Sequence, residues 1–217
     1  ERLRLRLINA ANARIFELGL AGLKGWVMAY DGMPLAKPEL VEGAFLLSPG
    51  ERVDLFVDVV AESGDMAHLV RIDDQQQYSQ TTFTVAGDAA ATPRADPAPL
   101  PPNLNMEIED VETARRFRLN MEGGAMGGLN AAELNGERNS FRQLAQANQF
   151  WAFNGAVGMT DAPLARLSRR ETARLEIYND TSFPHAMHLH GMHFRELLKD
   201  GSVGPLRDTV LMFGGET

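Results

Sequence analysis

The chain of 217 residues contains no cysteine. That absence removes disulfides, thiolate zinc sites, iron–sulfur clusters and cysteine nucleophiles from its chemistry. Any metal must be held by imidazole, carboxylate or thioether. Positive charge is also scarce: 21 Lys and Arg stand against 29 Asp and Glu, a net charge of −8 with no basic run. Nucleic acid and anionic membrane surfaces are therefore poor partners. No stretch approaches the roughly 18 consecutive apolar residues that a spanning helix needs, so no membrane span is expected. The opening "ERLRLRLIN" lacks the charged start and apolar core of a signal peptide. That leaves a cytosolic chain, or one that begins after processing or inside a longer protein. The remainder, 44% hydrophobic and 23% charged, is ordinary for a globular protein with a proper core.

What is present repeats with a period of two, which means strands. In "RLRLRLIN" Leu3, Leu5 and Leu7 face one way and Arg2, Arg4 and Arg6 the other. Val53, Leu55, Val57 and Val59 share a face in "RVDLFVDVV", and "TTFTVAG", "RRFRLNM" and "ARLEIYN" alternate likewise. Turn pairs such as Asp31-Gly32, Pro49-Gly50, Asn135-Gly136, Asn154-Gly155 and Asp200-Gly201 separate them. Asp31 belongs to this class, as a turn residue. One short helix is expected within Asn139–Asn148. The pattern predicts an all-β sandwich. Residues 89–105, "AAATPRADPAPLPPNLN", lack periodicity and read as a Pro/Ala-rich linker between domains at 1–88 and 106–217.

The two halves resemble each other. "RLRLIN" (Arg4–Asn9) matches "RLEIYN" (Arg174–Asn179), "YDG" answers "KDG", and "LLSPGER" answers "LMFGGET" in the same order. A related phrase, "LSRRETARL", begins at Leu167. Two copies of one sandwich are expected. Thr217 then aligns with Arg52, so the second copy lacks the closing strands that the first carries beyond that point. A sandwich without them has open edges, and the reading is a chain cut before its last strands.

Four of the five histidines fall in "PHAMHLHGMHF", Pro184–Phe194. In the first copy Ile15, Leu18 and Leu20 stand where His185, His188 and His190 stand in the second. In an extended segment His188 and His190 share a face and His185 points to the other, so one strand can serve two metal sites. Imidazole suits copper, zinc, iron and nickel. The spacing fits dinuclear zinc hydrolases poorly, because Met192 occupies the position of the needed Asp. It fits cupins poorly as well, since Glu196 comes one residue late. Met121 and Met126 in "NMEGGAMGGLN" read as gap-fillers, and His68 as a surface or packed residue.

"PHAMHLHGMHF", with "WAFNG" and "LEIYND" before it and "PLRDTVLMFGGET" after it, resembles the third cupredoxin domain of multicopper oxidases. The first half resembles the copper-free middle domain of three-domain, laccase-like members. The resemblance implies two cupredoxin-like Greek-key β-sandwiches, the second lacking its C-terminal strands. It implies that His185 binds type 1 copper, His188 type 2 copper and His190 the type 3 pair. His193 has no ligand role in that pattern, and Ala186 replaces the usual Pro. The implied activity is oxidation of a phenolic, organic or metal-ion donor coupled to reduction of dioxygen to water, in the periplasm or outside the cell. The further His-X-His pairs and the His-Cys-His segment of such enzymes are absent. They would come from the parent chain or another chain, and this segment alone is expected to be inactive. The alternative is a non-catalytic cupredoxin-like copper-binding or structural module.

Overall fold

The computed structural model describes residues 1–217 other than Gln75, Ala89 and Ala125 and the side chain of Asn105. The predicted linker begins at Ala89, outside the described residues. The strands of the first half are β1 (Arg2–Ile8), β2 (Phe16–Ala21), β3 (Leu23–Tyr30), β4 (Met33–Leu40), β5 (Ala44–Leu47), β6 (Arg52–Val59), β7 (Met66–Asp73) and β8 (Gln76–Thr84). The second half has β9 (Arg115–Gly123), β10 (Ala131–Leu134), β11 (Glu137–Ser140), α1 (Phe141–Gln146), β12 (Trp151–Phe153) and β13 (Ala173–Thr181). It continues through β14 (His185–His188), β15 (Phe194–Leu197), β16 (Val203–Arg207) and β17 (Thr209–Met212). The fold is all-β and matches the cupredoxin-fold sandwiches.

The chain divides into two units. Unit 1 holds Glu1–Met106 and His188–Val210; unit 2 holds Glu107–Met187 and Leu211–Thr217.

Unit 1 contains two four-stranded sheets, β1-β6-β3-β4 and β5-β2-β7-β8. The alternation of β1 explains its pairing. Leu3, Leu5 and Leu7 lie opposite Val57, Leu55 and Val53 and pack on a core that takes Leu18, Leu47 and Leu69 from the other sheet. The opposite face of β1 carries charge: Arg2 is opposite Asp58 and Arg6 opposite Asp54. Arg2 makes a two-pronged bond to Asp58 at 2.7 and 2.8 Å, and Arg4 reaches Asp54 at 2.6 Å. Opposite charges set across two antiparallel strands favour this register over a slipped one. The hairpin of β15 and β16 turns at Asp200-Gly201 and also belongs to this unit. The described residues of the Pro/Ala-rich stretch form no strand, and Arg2 and Lys24 of the same unit bond Ala95 and Asp96.

Unit 2 is smaller. Strand β9 pairs antiparallel with β12 and parallel with β13, while β10 and β11 form a hairpin over Asn135-Gly136. Helix α1 falls inside the span expected for it. Its Ser140 hydroxyl and backbone N–H both donate to the Gln143 side chain, which ties the first turn to its entry. The helix buries Leu144 against Leu129, Ala132, Ala152 and Val157.

The expected repeat has a hydrogen-bonded counterpart. Asn9, at the end of β1, is buried and donates from Nδ2 to the carbonyls of Arg14 and Leu47, while its Oδ1 accepts from the Ala11 N–H. Asn179, near the end of β13, is buried and does the same with Phe183, Met212 and Thr181. Each asparagine backbone also exchanges bonds with the closing turn of its own copy, Gly50 and Glu51 in one case, Gly215 and Glu216 in the other. The turn itself occurs three times. In "SPGE", "SRRE" and "FGGE" the glutamate carboxylate accepts the N–H of Ser48, Ser168 or Phe213 three residues back. The residue before each glutamate has positive φ: Gly50 at 83°, Arg170 at 66° and Gly215 at 81°.

Candidate metal centre

The histidine segment starts from the Asn179 corner. Thr181 closes β13, the chain bends through Ser182-Phe183-Pro184, and β14 pairs with β17. Strand conformation ends at His188. His190 lies in a turn with Gly191 at φ 78°, a backbone region that glycine enters freely. The expectation that a single extended strand carries all three histidines is therefore corrected: the glycine after His190 supplies a bend where a strand was predicted. The bend still brings His190 to His188, with ring centroids 5.9 Å apart and planes at 79°.

His185 belongs to unit 2 and sits half-buried against aromatic surface. Its ring meets Trp151 edge-on at 4.8 Å, and Trp151 meets Phe183 in the same manner at 6.1 Å. Burial pushes the His185 imidazole below its ordinary pKa, as expected when a cation would lose hydration. Its Nε2 lies 3.0 Å from the Thr181 hydroxyl. That hydroxyl has acceptors for its own proton in Asn179 Oδ1 at 2.7 Å and the Phe183 carbonyl at 3.0 Å. Nε2 is then the donor toward Thr181, and Nδ1 keeps its lone pair. A hollow of about 190 Å³ adjoins this ring, lined by Met121, Glu122, Trp151, Phe153, Thr181 and His185.

His188 belongs to unit 1 and its side chain is 41% exposed. Its Nδ1 lies 3.1 Å from the Asp208 carbonyl, 3.1 Å from the Thr209 hydroxyl and 3.3 Å from Asp208 Oδ1. Asp208 is gripped by the Arg52 guanidinium through two bonds of 2.8 and 2.6 Å and accepts the Thr209 hydroxyl at 2.7 Å. Burial alone would raise the Asp208 pKa. The bonds from Arg52 and Thr209, with the charge of Arg52, outweigh it and hold the carboxyl down at about 2. The buried Asp31 carboxylate anchors the whole arrangement by accepting the N–H groups of Arg52, Asp208 and Thr209 at 3.0 to 3.1 Å. Asp31 is in a turn as expected, with φ 50°, and is also a structural bracket. His193 Nε2 lies 3.8 Å from Asp208 Oδ2, so His193 faces the same carboxylate as His188.

Among the described residues, no three of His, Cys, Asp and Glu are grouped to hold a metal ion. The chain's own contribution is a pair of adjacent imidazoles, His188 and His190, and a separate imidazole on Trp151. His68 is elsewhere, bonded to Ser79 and Thr82, and Met126 is exposed. Sequence reading passed over Asp208, Thr209 and Thr181. Asp208 is 20 residues from His188 and 156 from Arg52, distances at which no local pattern operates. No helix among the described residues is long and apolar enough to cross a membrane.

Residues 135–217 match the family model described as multicopper oxidase. Over 98% of its length the chain is 29% identical to the multicopper oxidase MmcO of Mycobacterium tuberculosis strain ATCC 25618 / H37Rv, covering 39% of that protein. It also superposes on the crystal structure of Lac15 from a marine microbial metagenome, with a TM-score of 0.73 and 33% identity over 99% of this chain and 47% of the other. The bacterial laccase-like multi-copper oxidase CueO from Ochrobactrum sp. shares the fold at a TM-score of 0.69 and 24% identity, over 98% and 47% of the two chains. The chain thus spans less than half the length of these relatives. On the domain match, the likeness along the full chain and the shared fold, the chain is similar to multicopper oxidases throughout, and residues 135–217 carry the domain of that family.

Proposed function

We propose that the chain is part of a copper-dependent oxidoreductase that takes electrons from a phenolic, organic or metal-ion donor and reduces dioxygen to water. The observation that carries this reading is the placement of His188 beside His190, with one nitrogen of His188 already committed to the protein and the other free. Two close imidazoles with open lone pairs suit copper. His185 is the type 1 ligand in this reading, His188 the type 2 ligand and His190 a type 3 ligand. Copper, when bound, supplies the one-electron steps and the site where oxygen is reduced. Residues 1–88 form the copper-free region, 89–105 the linker, and 106–217 the region that carries ligands. The remaining ligands come from the rest of the parent protein or another chain, and the location is outside the cytoplasm.

In the same reading the chain's own residues shape both ends of the reaction. Trp151 and Thr181 fix the His185 ring at the edge of the hollow, where a donor can approach. Asp208 and Thr209 hold His188 from behind. The test is oxygen uptake by the copper-loaded parent protein in the presence of a phenol, ferrous or cuprous donor. Uptake with water as product is expected, together with an intense blue absorption that His185→Ala removes. A parent that binds copper fully yet neither turns blue nor consumes oxygen with any of these donors would be the copper-binding module instead.

A further inference from the structure

His188 is surrounded on its Nδ1 side by acceptors only. The Asp208 carbonyl can do nothing but accept. The Asp208 carboxylate likewise offers no proton, since both of its oxygens accept from the Arg52 guanidinium. The Thr209 hydroxyl is the one ambiguous group, and its proton points to Asp208 Oδ1 at 2.7 Å, so toward His188 it too presents a lone pair. Three acceptors at 3.1, 3.1 and 3.3 Å leave one consistent assignment for the neutral ring: Nδ1 carries the hydrogen and Nε2 does not. Asp31 keeps this geometry from relaxing, because it holds the backbone N–H groups of both Asp208 and Thr209.

We propose that Asp208, clamped by Arg52 and Asp31, is a positioning residue that locks His188 in the Nδ1–H tautomer and so presents Nε2 as the metal-binding atom. The use of the free nitrogen rests on the copper reading above; the tautomer itself does not. Metal-binding histidines in general need such a partner to orient the ring. Here the partner is a carboxylate that acts both directly and by fixing the hydroxyl of Thr209. Its anchors, Asp31 and Arg52, come from the copy of the repeat that has no histidines in the corresponding segment.

The test uses the full chain labelled with nitrogen-15 in histidine, at a pH where the rings are neutral. Two-bond nitrogen–proton correlation spectra report the tautomer of His188, and zinc titration reports affinity at the same ring. The wild-type chain is expected to show His188 as Nδ1–H alone. Asp208→Asn puts an N–H donor where an acceptor stood, and Thr209→Val removes the hydroxyl. Both are expected to convert the signal into a mixture with Nε2–H. Each is also expected to weaken zinc binding about tenfold, the lower end of the range for loss of such partners; His190→Ala identifies the zinc site. Should Asp208→Asn lose cooperative melting, Thr209→Val carries the test, because it keeps the Arg52–Asp208 fork. A wild-type His188 in the Nε2–H form, or variants with an unchanged tautomer, would overturn the proposal. A correct tautomer in a chain that binds neither zinc nor copper at His190 would uphold the positioning role and count against the copper reading.

Discussion

Asn9 and Asn179 hold their corners with matching bonds, yet the segments that leave those corners have opposite characters. After Asn9 the chain enters β2, whose Leu18 is buried in the core of unit 1. After Asn179 it enters β14, with His185 half-buried and His188 exposed. The bonds that set the path of the backbone are alike in the two places; the side chains displayed along that path differ. A second difference is one hydroxyl. Ala11 donates only its backbone N–H to Asn9, whereas Thr181 donates both its N–H and its hydroxyl to Asn179 and with the same hydroxyl accepts from His185. The corner is a scaffold indifferent to the strand that leaves it, and the two copies differ in the polar atoms at its rim.

The sharpest way to break the parallel is to remove both asparagines. Asn179→Ala removes the partner of the Met212 carbonyl and the Thr181 N–H and leaves the Phe183 carbonyl only the Thr181 hydroxyl, and Asn9→Ala removes the partner of the Arg14 and Leu47 carbonyls and the Ala11 N–H. Each is expected to cost about 3 kcal/mol, since unpaired buried groups cost roughly 1–3 kcal/mol apiece and some will find water. Hydrogen exchange should place the two losses in different units. If either loss spread evenly over both, the corners would not be independent. Next in size is Thr181→Val, expected to destabilise by about 1–2 kcal/mol and to free His185 Nε2, read by its tautomer in the same spectra used for His188. Ala11→Ser, lacking a histidine to meet, should leave the unit 1 signals in place.

The thrice-used turn gives a smaller contrast. Arg170 occupies a left-handed position that Gly50 and Gly215 fill without strain. Arg170→Gly is expected to stabilise or be neutral, within about 1 kcal/mol, while Gly50→Ala should destabilise by about 1 kcal/mol. Equal effects of the two in thermal melts would show that the turns are not equivalent. The smallest effect expected is electrostatic. The Arg2 hydrogen bond lowers the Asp58 pKa, with a further contribution from the charge of Arg2, against the upward push of burial. A carboxyl depressed in the folded state contributes stability above its unfolded pKa of about 3.9 and loses it as pH falls below that value. Wild type and Asp58→Asn should therefore differ by less than about 1 kcal/mol at neutral pH and converge in acid.

Much of this was legible in the sequence because it is local or periodic. The strands β1 and β6 announce themselves by strict alternation, and their charged faces are complementary by composition. The repeat could be read because the residues that bond the backbone, Asn and Glu at matching places, are few in kind. Two things were not legible. The bend at His190 overrode the alternation rule, although Gly191 carried the signal for it. Asp208 was invisible because its meaning depends on Arg52 and Asp31, which only folding brings near.

Strand β2 of the first copy carries no histidine, yet that copy reaches the imidazole of the second. Asp31 and Arg52 hold the backbone and the carboxylate of Asp208, and Asp208 faces His188. A side-chain change in the hairpin turn or in β6 would therefore be felt at a ring remote from both in sequence, so the two copies cannot be altered one at a time.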